Sequence, residues 1–134
     1  MTERSRTTGT SPYEALYRFS RAVRVGDRIL VSGTAPVEND GSSTPGDAAA
    51  QARRCFAIIV KAIEELGGSA QDVVRTRMFI TDPADADAIG AVHGELFRDS
   101  SPAATMVVVA SLLRPEWRVE IEAEAVIGAA LSSR

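Results

Sequence analysis

Glu120, Glu122 and Glu124 stand at every second position of "RVEIEAEAVI", towards the C-terminal end of the chain. Residues two apart in an extended strand share a face, so these carboxylates would line up ~7 Å apart at each step. A row of this kind is solvated, or paired with basic side chains, or has one member partly buried. Burial disfavours the charged form, raises that member's pKa and suits it to handling a proton. Arg75 and Arg77, also at period two in "DVVRTRMFI", are natural partners for Glu122 and Glu124 across a sheet. Glu120 is then the candidate for proton transfer, provided it borders a cleft. His93 lies beside a helical apolar stripe, where a packed ring is a better reading than a base. Trp117 and Arg114, in "LLRPEWR", are placed to line a cleft or to plug a loop.

Other chemistries are poorly supplied. The chain has one histidine and one cysteine, with neither His-x-x-x-His nor Cys-x-x-Cys spacing, so only carboxylates remain as metal ligands and no metal is expected. No glycine-rich phosphate loop is present, and Gly67-Gly68 reads as a helix stop. Cys55 falls inside an apolar stripe and reads as core. A formal charge of −3 and an aromatic content of 5% give neither a basic footprint nor stacking platforms, so no nucleic-acid partner is expected. No apolar run approaches the ~20 residues of a membrane helix, and "MTERSRTTGTS" has no apolar run behind its charges. A cytoplasmic protein without membrane association is the expectation.

The elements that must position these residues follow from hydrophobic periodicity. With 134 residues, 45% hydrophobic and 25% charged, the chain has the length and composition of one globular domain. Residues 1–15 lack periodicity and read as a flexible tail, leaving 16–130 as the domain. "RFSRAVRV" and "RILVS" flank Gly26-Asp27, the signature of a tight hairpin. "ENDGSSTPG" is a loop by composition. Asp47 caps a helix whose stripe is Ala52, Cys55, Phe56, Ile59, Val60, Ile63 and Leu66. "DVVRTRMFI" is a strand, with Val74, Thr76, Met78 and Ile80 expected on one face. Asp82-Pro83 starts a second helix, with Ile89, Val92, Leu96 and Phe97 as its stripe. "ATMVVVA" and the glutamate strand complete the order ββαβαββ. Two helices cover only one face of such a sheet, and the mixed apolar and charged face left over points to self-association.

Three stretches, "SRAVRVGDRILVSGTAP", "DVVRTRMFITD" and "PAATMVVVASLLRPEWRVEIEAEAV", together resemble the Rid (reactive intermediate deaminase, RidA/YjgF) superfamily over about residues 18 to 128. The resemblance implies an α+β, chorismate-mutase-like (YjgF-type) fold, a mixed sheet with two helices on one face. It also implies a homotrimer with three intersubunit clefts. Archetypal members hydrolyse enamines and imines such as 2-aminoacrylate to 2-oxo acids and ammonia, without a cofactor. They hold the substrate carboxylate with an arginine two residues after the proline of the Pro-Ala strand, where a planar guanidinium matches a carboxylate in two hydrogen bonds.

In this chain the arginine position is Ala104, the usual tyrosine corresponds to Phe19, a frequent cysteine to Met106, and a helix asparagine to Gly90. Gly33 and Glu120 match the family's cleft glycine and its water-orienting glutamate. The resemblance is thus to an arginine-less branch, with Phe19, Gly33, Ala104, Met106, His93, Trp117 and Arg114 as cleft residues and Glu120 as the catalytic candidate. The leading expectation is a trimer binding a small molecule between subunits, with hydrolysis of an imine or enamine. One alternative is a deaminase in which Arg98, Arg114 or Arg118 supplies the carboxylate contact. The other is a trimer that binds or regulates without catalysis.

Overall fold

The computed structural model describes residues 3–129, which form one mixed sheet backed by two long helices. The chain runs β1 (Arg4–Thr7), α1 (Pro12–Tyr17), β2 (Ala22–Val25), β3 (Arg28–Thr34), α2 (Ala48–Glu65), β4 (Val73–Ile80), α3 (Ala86–Leu96), β5 (Ala103–Val108) and β6 (Val119–Val126). The strands lie in the order β1-β2-β3-β6-β4-β5. Only β4 and β5 are parallel; the other neighbours are antiparallel. The expected α+β architecture is therefore present.

Local chemistry explains the element boundaries. Gly26, at φ 63°, makes the two-residue turn between β2 and β3 in a region where a side chain would be strained. Asp47 caps α2, its side chain accepting a hydrogen bond from the Ala50 N–H at 2.9 Å. Gly67, at φ 95°, follows the last turn, and the Gly68 N–H closes on the Ile63 carbonyl at 2.9 Å. The core sits between sheet and helices, where Ala52, Cys55, Ile59 and Ile63 of α2 and Ile89 of α3 meet Ile29, Ile80, Val119 and Ile121. Strict alternation along β6 buries Val119, Ile121, Ala123 and Ala125 and leaves the three glutamates on the other face.

The structure corrects the sequence reading in three places. Residues 1–15, expected as a flexible tail, contain β1, which pairs with β2 from Arg4↔Val25 to Thr7↔Ala22, and the start of α1. An edge strand needs only backbone hydrogen bonds on one side, so polar β1 carries no hydrophobic alternation to betray it. On β4, Val73 is buried and Val74 exposed, the reverse of the expected facing. One extra residue lies between the Val73↔Ala125 and Arg75↔Glu124 pairs, and this bulge resets the alternation before Thr76, Met78 and Ile80 turn inward. Pro83–Asp85 forms a separate 3-10 turn, and α3 proper begins at Ala86.

Replacing Asp47 removes one side-chain acceptor from an exposed helix end without touching the core. Asp47→Ala is expected to cost about 1 kcal/mol, read as a lower urea midpoint with an unchanged m-value.

Candidate functional site

The short N-terminal elements set up the site. Ser11 caps α1 by accepting from the Tyr13 N–H, and Pro12 occupies the first turn. Arg18 ends α1 in the left-handed conformation at φ 60°, and the Phe19 N–H returns to the Glu14 carbonyl at 2.9 Å. The reversal lays Phe19, Ser20 and Arg21 beside the end of β3. Glu14, itself buried, accepts from the Gly9 N–H through Oε1 at 2.8 Å, which ties residues 9–14 into a cover over Arg21. The fit is close: a Cβ on Gly9 would stand 2.9 Å from Glu14 Oε2 and 3.2 Å from Arg21 Cδ.

Arg21 is 6% exposed. Its Nη2 donates to the Gly33 carbonyl at 2.8 Å, and its Nη1 lies 4.0 Å from Glu14 Oε2, beyond hydrogen-bond reach. The guanidinium carbon stands 5.6 Å from the centroid of the Phe19 ring. Burial pulls its pKa below the ordinary arginine value, opposed by the negative charges of Glu14 and Glu120.

Glu120 meets this cluster because β3 bulges. Between the Val31↔Ala123 and Thr34↔Ile121 pairs, β3 has one more residue than β6. The bulge brings Gly33 against the glutamate so tightly that a Cβ there would lie 2.7 Å from Glu120 Oε2. A side chain at this position would push the carboxylate aside. Desolvation raises the pKa of Glu120 above 4.5, Arg21 pulls it down, and Glu122 adds a smaller upward push. Tyr13, Phe19, Arg21, Gly33, Trp117 and Glu120 are among the residues that line a cavity of about 120 Å³.

Four of the expected cleft residues, Phe19, Gly33, Trp117 and Glu120, therefore share one cavity. Trp117 is buried, and its indole N–H donates to Ser43 Oγ at 2.9 Å, so it both lines the cavity and pins the loop before α2. Arg114 is close by, 5.2 Å over the Trp117 ring, but Nη1 is committed to the Gly41 carbonyl. Ala104 and Met106 are elsewhere, on edge strand β5, two strands removed from β6. They pair with Thr76 and Met78, whose side chains face the helices, and Met106 packs against the core. His93 is also outside the cavity. Its Nε2 lies 2.8 Å from Thr76 Oγ1, its ring packs against Phe56 and Phe97, and burial lowers its pKa from 6.5.

Of the three basic residues considered as substitutes, Arg114 and Arg118 are engaged elsewhere. Arg118 makes a two-pronged pair with Asp85 at 3.0 and 2.9 Å, and neither it, Arg98 nor Arg114 lines the cavity. Arg77 pairs with Glu122 at 3.1 Å, as the sequence reading expected, whereas Arg75 donates to Thr105. Arg21 is a charged cavity residue that the sequence reading did not single out. In "FSRAVRV" it is indistinguishable from Arg24, and only the fold of the N-terminal segment buries one of the two. Among the described residues no cluster of three potential metal ligands occurs.

A raised carboxyl pKa has a thermodynamic consequence. The native state then holds the Glu120 proton more tightly than the unfolded chain does. The stabilisation is complete below the unfolded value and is lost as pH rises through the folded one. Glu120→Gln is therefore expected to raise Tm at pH 7, with the gain vanishing below about pH 4.5. A variant less stable than the parent at pH 7 would contradict the strained placement of this carboxylate.

Comparison with known proteins agrees with the architecture. The family profile described as Endoribonuclease L-PSP matches residues 9–127. The uncharacterized protein SCO2049 of Streptomyces coelicolor is 37% identical over 124 residues, covering 92% of each chain. The 3-aminoacrylate deaminase RutC of Acinetobacter baylyi is 36% identical over 114 residues, 84% of this chain and 88% of that protein. The crystal structure of Rv2704 from Mycobacterium tuberculosis, a member of the YjgF/YER057c/UK114 family, superposes with a TM-score of 0.84 at 37% identity, over 93% of this chain and all of that one. A family match across nearly the whole chain, a RutC relative and a shared YjgF-type fold lead to one conclusion: the chain belongs to the Endoribonuclease L-PSP family, that is, the Rid superfamily.

Proposed function

We propose that this protein is a homotrimer whose intersubunit clefts bind a small molecule and hydrolyse an imine or enamine, with Glu120 moving the proton and no cofactor taking part. The observation that carries the reading is the placement of Glu120. It is a half-buried carboxyl with a raised pKa, pressed against the Gly33 backbone in a cavity with Phe19 and Trp117. A desolvated carboxyl with a raised pKa holds a proton more readily than an exposed one, which suits it to taking a proton up and returning it during a reaction. In the imine form of the substrate, Glu120 takes a proton from water as the water oxygen bonds to the C=N carbon, and passes that proton to the nitrogen, giving a neutral carbinolamine. Glu120 then takes the O–H proton and delivers it to the amino nitrogen as the C=O bond forms and the C–N bond breaks, giving a carbonyl compound and ammonia. Similarity to a relative named 3-aminoacrylate deaminase supports this class of reaction.

The division of the expected cleft residues supports the trimer. One chain holds Phe19, Gly33, Trp117 and Glu120 at one site and carries Ala104, Met106 and His93 at another, so a cleft using both groups needs two copies. Edge strand β5 exposes Val107 at 43% and Val108 at 53%, apolar surface of the kind that subunit contacts cover. Binding without catalysis is the second reading, favoured by Ala104, which leaves that half of the cleft without a carboxylate-holding charge.

The test is ammonia release from 2-aminoacrylate and 3-aminoacrylate by the parent and Glu120→Gln, with mass measured by light scattering. The expected particle is three times the 14.2 kDa chain, and the expected loss of turnover is roughly a hundredfold or more. Equal rates for the two proteins would remove Glu120 from the chemistry, and a stable monomer would remove the cleft.

A further inference from the structure

We propose that Arg21 is the anion-holding residue of the Glu120 cavity, so that its ligand is a small carboxylate held from β2 rather than from position 104. The proposal rests on reading that cavity as the ligand site, and it adds the chemical class of ligand and the residue that selects it. A guanidinium carries five N–H donors in a fixed fork. At Arg21 one hydrogen bond is present, to the Gly33 carbonyl, while Nε is buried without a partner. Glu14 does not complete the set: its Oε2 stays 4.0 Å from Nη1 and is itself unpartnered.

A charge 6% exposed with unmet donors is costly to keep unless something else meets them. The side chain lines the cavity together with Glu120, so a carboxylate entering there would find both the guanidinium and a group able to handle a proton. The other basic side chains near this end do not compete, because Arg114 and Arg118 are committed to Gly41 and Asp85. Arg21 also differs from Arg24 in the adjoining β2, which is satisfied by the Gly26 and Leu66 carbonyls. A purely structural Arg21, holding β3 and the N-terminal cover in place, would be indifferent to the charge of the ligand. An anion-holding one would not.

The experiment is calorimetric titration of the full-length protein with pyruvate and, separately, with its uncharged methyl ester. The parent is expected to bind pyruvate about ten- to a hundredfold more tightly than the ester, the usual weight of a charge-assisted contact. Arg21→Gln, which keeps a donor for the Gly33 carbonyl but no charge, is expected to abolish that preference, and Arg21→Lys to retain part of it. The acid-against-ester comparison in the parent needs no variant and so can overturn the proposal even if both substitutions unfold the protein. Equal affinity for acid and ester, binding of neither, or an undiminished preference in Arg21→Gln would each overturn the proposal. A clear acid preference that is lost in Arg21→Gln, without ammonia release, would sink the hydrolytic reading and leave Arg21 in its role. Ammonia release indifferent to a carboxylate on the substrate would do the reverse.

Discussion

A buried arginine beside a half-buried glutamate is the interaction on which the rest of the site depends. Arg21 reaches the Gly33 carbonyl from the start of β2, and Glu120 reaches the same glycine from β6. The two opposite charges are thus held at one point of the β3 backbone. Desolvation works against both, lowering the pKa of the arginine and raising that of the glutamate, while each pulls the other back towards its charged form. A well-solvated surface pair would show little of this tension, and would be of little chemical use. Here the tension leaves a carboxyl responsive to its surroundings and a guanidinium with donors unspent.

The fold produces that tension with modest means. A single extra residue in β3 turns the strand end towards Glu120, and a glycine at the bulge allows the approach. The N-terminal segment does the covering, through one capped turn of helix and the bond from Glu14 to the Gly9 N–H. At the opposite side of the sheet, β5 presents Ala104 and Met106 beside a helix whose histidine is locked against Thr76 and two phenylalanines. In the proposed trimer the two regions would meet in one cleft, and the uncovered sheet face would have a use beyond stability, since the same contact that buries apolar surface would bring the halves together.

The scaffold was legible in the sequence because its signals are local and periodic. The α2 stripe, the strict alternation of β6, Gly26-Asp27 and Asp47 each carry their own physical reason. Phe19, Gly33, Trp117 and Glu120 are likewise legible as cleft candidates, the first two through resemblance. What stayed hidden depends on tertiary context. The bulge at Val74 shifts a facing by one residue without altering the residue types, and β1 is held by backbone bonds that leave no side-chain pattern. Arg21 was hidden for a related reason. Burial of a charge is decided by what folds over it, and Glu14 and Gly9 lie seven and twelve residues upstream in a segment without periodicity. Resemblance drew attention to the arginine absent at Ala104 and away from the one present at Arg21.

The most direct measurement is the titration of the Glu120 carboxyl itself, followed by carbon NMR in protein labelled at glutamate Cδ and assigned by comparison with Glu120→Gln. The account predicts a midpoint above 4.5 in the parent and a further rise in Arg21→Gln, because removing the guanidinium takes away the largest influence opposing desolvation. A midpoint at or below 4.5, or one unmoved by the loss of Arg21, would show that the two side chains do not share a desolvated site.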